Sequence, residues 1–209
     1  MLFVLSAPSG TGKTTVAERL LKSVPKLRRI ITATTRQRRE HEVHGVDYLF
    51  MSEGEFKEGI QRGMFLEWAL VYGNYYGTPI EQVQKNEEEG YDSLLVIDVQ
   101  GARQVKQKYP NSVLIFLLPP SLEELRRRLL TRGYGDKNLQ ERLLSAEKEI
   151  ACAVEFDYIV VNEFVDKAVE ALSHIVLSQR FKRESFLKRL EEIRDERIRD
   201  LLRSANCLI

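Results

Sequence analysis

A glycine-rich turn between an apolar run and an amphipathic stretch constrains this chain most strongly. The apolar residues 2–5 come first, Ala-Pro-Ser-Gly-Thr-Gly-Lys-Thr follows at residues 7–14, and a helical pattern of Val16, Leu20 and Leu21 comes next. This order predicts a buried strand, a tight turn and a helix that begins at the turn. Backbone N–H groups in such a turn converge on one place, and the helix dipole favours negative charge there. The segment therefore predicts a phosphate-binding loop.

The residues of this loop suit a nucleoside triphosphate that is bound together with a metal ion. Gly10 and Gly12 let the backbone approach phosphate closely, and Lys13 neutralises the β- and γ-phosphates. The Thr14 hydroxyl is suited to hold Mg²⁺, whereas Thr15 supports only the start of the helix. A glycine-rich turn can also be a structural turn without a binding role, but the position of this one between a strand and a helix favours ATP binding. The predicted ATP-binding residues are Ala7, Pro8, Ser9, Gly10, Thr11, Gly12, Lys13, Thr14 and Thr15.

Alternation of apolar runs with helical stretches predicts an α/β fold. Helix-start signals such as Ser52-x-x-Glu55 and Ser121-x-x-Glu124 lie between the runs. Strands that alternate with helices form parallel sheets with helices on both faces, so we expect a five-stranded parallel sheet flanked by helices. The expected strands are residues 2–5, 29–32, 93–97, 113–118 and 158–161.

Two regions interrupt this alternation. Residues 32–78 show short strand patterns around a single helix, which predicts an inserted small α+β subdomain. Residues 126–142 carry glycines between two helical patterns, which predicts a short lid. Residues 1–31 and 79–180 then form the core domain, and the charged residues 181–209 are expected to form a C-terminal helix.

Composition excludes several classes of protein. The chain has 209 residues, with 32 Lys plus Arg against 31 Asp plus Glu, and this balance argues against a general binder of nucleic acid or membrane surfaces. The two cysteines show neither metal nor redox spacing, and no apolar run is long enough to span a membrane. We therefore expect a cytoplasmic protein without a disulfide. The sequence leaves the oligomeric state, monomer or homo-oligomer, open.

Several further motifs follow the loop in a fixed order along the chain. They are Thr-Ala-Thr-Thr-Arg-x-x-Arg at 32–39, Gly-x-x-Tyr-x-Phe at 45–50, Phe-Leu-Glu-Trp-Ala at 65–69, Gly-Asn-Tyr-Tyr-Gly-Thr at 73–78, Ile-Asp-Val-Gln-Gly at 97–101, an arginine-rich region at 128–142, and Val-Asn at 161–162. Together with residues 7–14, this series resembles the guanylate kinase family over residues 2 to about 172. The resemblance implies a P-loop nucleoside-monophosphate-kinase-like fold and transfer of a phosphate from ATP to GMP or dGMP, with Mg²⁺ as cofactor.

The chemistry of GMP accounts for the residue types in these motifs. A phosphate monoester favours guanidinium and phenolic donors, and the stretch from Lys26 to Arg39 is basic without an acidic residue. Guanine presents N1–H and N2–H₂ as donors and O6 as an acceptor, so its recognition needs a carboxylate beside a hydroxyl. The resemblance assigns the GMP phosphate to Arg36, Arg39, Tyr48 and Tyr76. It assigns the base to Thr32, Glu67, Thr78 and Asp98.

The reaction itself requires positioning and charge stabilisation rather than a general base. Arg128 and Arg132 lie about one helical turn apart and share a helix face, while Arg142 lies on the helix beyond the predicted lid. The resemblance implies that these arginines close over the transferring phosphate. The predicted catalytic set is therefore Lys13, Arg128, Arg132 and Arg142.

Two alternatives remain open. One is another P-loop kinase with a small substrate on the same scaffold, although Glu67 and Asp98 favour a substrate with a base to recognise. The other is a non-catalytic guanylate-kinase-like module that binds acidic or phosphorylated peptides through Arg36 and Arg39. Lys13 would be unnecessary in such a module. A regulatory GTPase is disfavoured because no Asn-Lys-x-Asp stretch occurs.

Overall fold

The computed structural model describes residues 1–71, 73–131, 136–187 and 189–206. In chain order its strands are β1 (Leu2–Ser6), β2 (Leu27–Arg29), β3 (Ala33–Thr34), β4 (Leu49–Phe50), β5 (Phe65–Val71), β6 (Asn74–Pro79), β7 (Asp92–Val96), β8 (Val113–Leu118) and β9 (Tyr158–Val161). Its helices are α1 (Lys13–Ser23), α2 (Glu53–Gln61), α3 (Ile80–Glu88), α4 (Val99–Lys108), α5 (Leu122–Leu130), α6 (Asp136–Ala151), α7 (Val165–Arg180), α8 (Arg183–Leu187) and α9 (Glu196–Asn206). No helix in these ranges is long and apolar enough to cross a membrane.

Five strands form a parallel sheet in the order β2, β7, β1, β8, β9. Its central strand, β1, is buried along its whole length. Phe3 and Leu5 pack into a core shared with α1 and α7, and Val4 packs on the opposite face with residues of α4. Strands covered on both faces need apolar residues at nearly every position, so their sequences read as continuous apolar runs. The predicted five-stranded parallel sheet flanked by helices is confirmed.

Strand β2 lies earlier in the sequence than its apolar pattern predicts. The expected range was 29–32, whereas the strand is Leu27–Arg29. Ile30 is buried but follows the strand, and the N–H of Ile31 donates to the side-chain oxygen of Gln82 in α3 at 2.9 Å. The two isoleucines therefore mark packing beside α3 as the chain leaves the sheet. The N–H of Ile30 still donates to the carbonyl of Leu94 in β7 at 3.0 Å, so the strand-like pattern begins in backbone pairing and continues into packing beside α3.

A second sheet, in the order β4, β3, β6, β5, forms within the region expected to be an insertion. Helix α2 covers this sheet with Phe56, whose ring stacks on Phe65 with the ring centroids 4.4 Å apart. The Ser52 hydroxyl accepts from the N–H of Glu55, and the Glu55 carboxylate accepts from the N–H of Ser52. The capping box predicted from the sequence is confirmed, and it fixes where α2 begins.

The C-terminal segment is not the single charged helix expected for residues 181–209. Beyond α7, the described residues form α8, a short 3-10 turn and α9 instead. Leu190 is buried, and the Arg189 guanidinium donates to the carbonyl of Arg180, so the chain turns back onto α7. The Asp195 carboxylate then accepts an N–H in the first turn of α9. Burial of a leucine and capping by an aspartate outweigh the helical pattern of the segment.

The insertion yields a test of packing at Gly77. A β-carbon there would lie 2.8 Å from the ring of Phe56 and 2.9 Å from that of Phe65. Gly77→Ala should lower the free energy of unfolding by about 1–3 kcal/mol, because the stacked rings would have to shift. The control is Gly54→Ala at an exposed position of α2, where the nearest atom lies 3.9 Å away; it should raise this energy by about 0.5 kcal/mol. Urea unfolding compares the two variants, and equal effects would contradict the packing argument.

Candidate functional site

The glycine-rich loop joins β1 to α1 at the carboxyl edge of the parallel sheet. Gly10 (φ 92°) and Gly12 (φ 96°) adopt left-handed conformations, which glycine permits without strain. Helix α1 begins at Lys13 with no side-chain cap and with no acidic residue in its first turn. Its first N–H groups therefore face the loop, where they can bind an anion. Thr14 and Thr15 are exposed in the same turn.

The ammonium of Lys13 lies between the loop and the end of β7. Its Nζ donates to the carbonyl of Ile97 at 2.9 Å. Burial lowers the pKa of Lys13, and the nearby carboxylates of Asp98 and Glu149 raise it in part. A charge-assisted hydrogen bond to phosphate is stronger than one to a neutral carbonyl. An arriving phosphate can therefore replace the Ile97 carbonyl as the acceptor of the Lys13 ammonium.

Side chains from three other elements form hydrogen bonds with the loop. The amide of Asn162, which follows β9, donates to the carbonyl of Thr11 at 2.7 Å. Arg128 of α5 donates to the same carbonyl at 3.1 Å, and Arg142 of α6 donates to the Ser9 hydroxyl at 3.2 Å. The structure therefore brings two of the three predicted arginines onto the loop.

Arg128 is also fixed by an acid of its own helix. Its Nε donates to Glu124 at 2.7 Å, and hydrogen bonds from Arg127 and Arg128 lower the pKa of Glu124 to about 2. Glu124 is therefore ionised at neutral pH and orients the guanidinium of Arg128. Arg132, the third predicted arginine, lies outside the described residues, as do residues 133–135 of the predicted lid.

A basic and aromatic cluster lies on the insertion. The guanidinium carbon of Arg36 lies 5.2 Å from the ring centroid of Tyr48, and the rings of Tyr48 and Tyr76 are 6.1 Å apart. Burial raises the pKa of Tyr48, and Tyr76 adds to that rise. The structure brings together three of the four residues predicted for the GMP phosphate. Arg39 lies exposed on the loop that carries Arg36.

The carboxylate of Glu67 is buried, with 2% of the residue exposed. Glu67 of β5 lies directly opposite Thr78 of β6, and the Thr78 hydroxyl donates to its Oε1 at 2.6 Å. Burial and, to a smaller extent, the charge of Asp98 raise the pKa of Glu67 to about 7, although the Thr78 hydrogen bond and Lys108 oppose the rise. A β-carbon at Gly101 would lie 2.7 Å from its Oε2, so a glycine at this point of α4 makes room for the carboxylate.

Asp98 lies between the two halves of the site. Its carboxylate caps α4 by accepting the N–H of Gly101 at 2.8 Å, and its charge acts on both Lys13 and Glu67. Thr32, also predicted at the base, is buried just before β3. The residues predicted for ATP and those predicted for the base therefore meet around Asp98.

Three residues of this region had no predicted role. Glu149 raises the pKa of Lys13 and accepts from the Ser145 hydroxyl at 3.1 Å. It follows Arg142 by about two helical turns, a spacing that places both on one face of α6 and could have indicated it. Asn162 lies in the Val-Asn motif at 161–162, to which no role was assigned. Glu42 is buried in a loop whose neighbouring residues are exposed. A cavity of about 260 Å³ beside Asp98 is lined in part by Glu149.

Comparison with known proteins shows the family of this chain. A family model described as guanylate kinase matches residues 1–179. The chain belongs to the guanylate kinase family. The guanylate kinase of Caldanaerobacter subterraneus subsp. tengcongensis is 46% identical over 197 residues, which cover 92% of this chain and 96% of that protein. The guanylate kinase of Geobacter metallireducens is 46% identical over 181 residues, covering 86% and 89% respectively.

A solved guanylate kinase structure shares the fold. The crystal structure of guanylate kinase from Anaplasma phagocytophilum is 35% identical, has a TM-score of 0.75, and covers 88% of this chain and 87% of that one. The guanylate kinase family match includes both sheets and every predicted site residue, and it ends near the end of α7. The C-terminal pieces α8 and α9 lie beyond it.

The support of the loop by Asn162 is testable through stability. Asn162→Ala removes the shorter of the two hydrogen bonds to the Thr11 carbonyl, and should lower the free energy of unfolding by about 1–2 kcal/mol. Arg128 still donates to that carbonyl, which keeps the loss in this range. Asn111→Ala, in an exposed turn, is the control and should change the energy by less than about 0.5 kcal/mol. Identical urea midpoints for the two variants would refute the role of Asn162.

Proposed function

We propose that this protein transfers the γ-phosphate of ATP to GMP, giving ADP and GDP, and that it also accepts dGMP. The observation that carries the proposal is the buried Glu67 carboxylate, oriented by Thr78 and linked through Asp98 to the loop of Lys13. A buried acid at this place needs a ligand with paired donors, and guanine offers N1–H and N2–H₂. Membership of the guanylate kinase family supports the same reaction.

In the ATP half, the amides of the loop and of the first turn of α1 would bind the triphosphate. Lys13 would leave the Ile97 carbonyl and bind the β- and γ-phosphates. Arg128 and Arg142 already contact the loop, so their guanidiniums lie near the place of the transferring phosphate. Arg132 completes this set in the proposal.

In the GMP half, Arg36, Tyr48 and Tyr76 would bind the phosphate, with Arg39 reaching it from the same loop. Glu67 would accept the guanine N1–H and N2–H. Because the Thr78 hydroxyl already donates to Glu67, its role is to orient the carboxylate, and Thr32 is left to donate to the base. Adenine has an acceptor at N1, which would face the carboxylate unpaired, so AMP should be disfavoured by a factor of order 10⁴.

Mg²⁺ fits the oxygen donors around Lys13. Thr14 presents an exposed hydroxyl at the start of α1, and the carboxylates of Asp98 and Glu149 lie close to the ammonium. Within the described ranges, no three Asp, Glu, His or Cys side chains are grouped to hold a metal by themselves. We therefore propose that Thr14 and the ATP phosphates would hold Mg²⁺ together. Bound there, Mg²⁺ would neutralise negative charge on the phosphates.

The transfer needs no general base, because the attacking oxygen of GMP is already anionic. The chain contributes by aligning the two phosphates and by placing cations around the charge that spreads over the transferred group. Closure of arginines over that group would also exclude water and so limit hydrolysis of ATP.

The proposed reaction is tested by ATP consumption with GMP, dGMP, AMP, CMP, UMP and ribose phosphates offered singly. We expect GMP to be used best, dGMP second and AMP negligibly. Lys13→Ala should lower turnover at least about 100-fold, since it removes a cation bound to the transferring phosphate. Lys22→Ala, an exposed change on the same helix, should leave turnover unchanged. Equal use of AMP and GMP would refute the assigned specificity, and turnover of a sugar phosphate alone would favour another small-substrate kinase.

Recognition of guanine by Glu67 predicts a dependence on pH. Its pKa is raised to about 7, so the carboxyl is increasingly protonated below that pH and must lose a proton to accept the guanine N–H groups. KM for GMP should therefore rise about tenfold between pH 8 and pH 6. The GMP phosphate also titrates near pH 6, so Glu67→Gln is measured in parallel to isolate that contribution. The same pH dependence in both proteins would rule out the Glu67 carboxyl as its source.

A further inference from the structure

One acidic residue is buried within the exposed, basic loop that carries Arg36 and Arg39. Glu42 is 7% exposed, whereas Glu40 and His41 beside it are exposed. Both of its carboxylate oxygens are bound: Oε1 accepts from Nη2 of Arg36 at 2.6 Å, and Oε2 accepts from the backbone N–H of Arg39 at 2.9 Å. A single carboxylate therefore connects the two arginines predicted to bind the GMP phosphate.

The ionised form of Glu42 is favoured by these contacts. Burial raises its pKa, but the hydrogen bonds from Arg36 and from the Arg39 N–H outweigh burial, so the pKa lies below its ordinary value. The N–H of Glu42 also donates to the carbonyl of Arg39 at 3.1 Å, and Arg38 donates to the carbonyl of Glu42 at 2.9 Å. The turn from Arg39 to Glu42 is closed at both ends, so the carboxylate has a fixed position.

This arrangement leaves the Arg36 guanidinium able to bind phosphate as well. Of its five N–H groups, one donates to Glu42 and another to the carbonyl of Gln37 at 2.8 Å. The ring of Tyr48 lies beside the guanidinium. Held by the acid, the carbonyl and the ring, the planar fork has one orientation. Tyr76 is a further hydrogen-bonding partner of the guanidinium, and the N–H groups that remain can bind phosphate oxygens.

Displacement of Glu42 by the substrate phosphate is the competing arrangement. It would uncover a buried carboxylate and remove the acceptor from the Arg39 N–H, and both changes cost free energy. Glu42 binds Arg36 through one oxygen only, so simultaneous binding of phosphate needs no such exchange. The contacts favour an acid that stays in place while the phosphate binds.

We infer that Glu42 is a positioning residue, which presents Arg36 and Arg39 together to the phosphate of the acceptor nucleotide. This role rests on the proposed function, because it assumes that this loop binds GMP. Glu42 acts through the guanidinium of Arg36 and the backbone of Arg39 and does not contact the substrate. Its effect is therefore specific to the acceptor phosphate and leaves ATP binding unaffected.

Glu42→Gln tests this role because it keeps the size of the side chain and removes its charge. Compared with the wild type, KM for GMP should rise about tenfold, the effect of losing a hydrogen bond to a charged group. KM for ATP should change little, whereas the melting temperature should fall, because the ionised carboxylate also stabilises the folded loop. Glu40→Gln makes the same charge change at an exposed position of the loop and should leave both KM values within about twofold. Equal KM values for GMP in the two variants would overturn the inference.

A double-mutant cycle separates positioning from a general loss of loop structure. In an Arg36→Gln background, Glu42→Gln should raise KM for GMP by less than about twofold, because its main target is already gone. The full tenfold rise in that background would overturn the inference, as would a parallel rise in KM for ATP. Glu42→Asp, which keeps the charge on a shorter side chain, should recover part of the affinity. If the wild type does not phosphorylate GMP, the proposed function fails; if it does and Glu42→Gln behaves as wild type, only the role of Glu42 fails.

Discussion

The burial of the Glu67 carboxylate is the constraint on which the rest of the site depends. Removing a carboxylate from water is costly, and the Thr78 hydroxyl offsets only part of that cost, since the pKa of Glu67 still rises to about 7. Three structural features fix the position of this carboxylate. The β5–β6 register places Glu67 opposite Thr78, Gly101 lets α4 approach, and Asp98 caps that helix beside it. A ligand with paired N–H donors would offset the rest of the cost of burying the carboxylate, because it would donate the hydrogen bonds that the protein does not supply.

The order of strands brings this carboxylate near the phosphate loop. Strands β1 and β7 are neighbours, and both end at the same edge of the parallel sheet. The loop follows β1 and Asp98 follows β7, so Lys13 bonds to the carbonyl of Ile97 just before Asp98. Ligands of open α/β sheets bind at this carboxyl edge, where loops from adjacent strands meet. The insertion departs from β2 at the same edge, which brings the residues predicted to bind GMP toward the loop.

The sequence was most informative where local pattern and tertiary burial agree. The strand Val113–Leu118 was located at its observed bounds because buried parallel strands are apolar throughout, and the Ser52 capping box depends only on local contacts. The edge strand Tyr158–Val161 was also located at its observed bounds, although Ile159 and Val161 are exposed. The bounds predicted for strand β2 were wrong because the buried Ile30 extends the apolar pattern past the end of the strand. The single helix predicted for the C-terminal segment was wrong because burial of Leu190 overrides the local helical pattern. Glu42 was missed because its partners are defined by loop closure, which a single sequence does not reveal. Glu149 was missed although its spacing from Arg142 places both residues on one face of α6. The roles of individual site residues, Arg132 included, remain predictions.

Pairing of cations with acids is a common feature of this site, although its ligands are anions. Arg36 binds Glu42, Arg128 binds Glu124, and Lys13 lies near Asp98 and Glu149. Such partners weaken the net positive charge offered to phosphate, so their benefit must lie in geometry. A free arginine or lysine side chain loses rotamer entropy when it binds a ligand. A cation already held by an acid has lost that freedom during folding, and its remaining N–H groups face the ligand before it arrives. In a reaction that needs alignment rather than a base, a fixed orientation of the cationic side chains contributes more than additional positive charge.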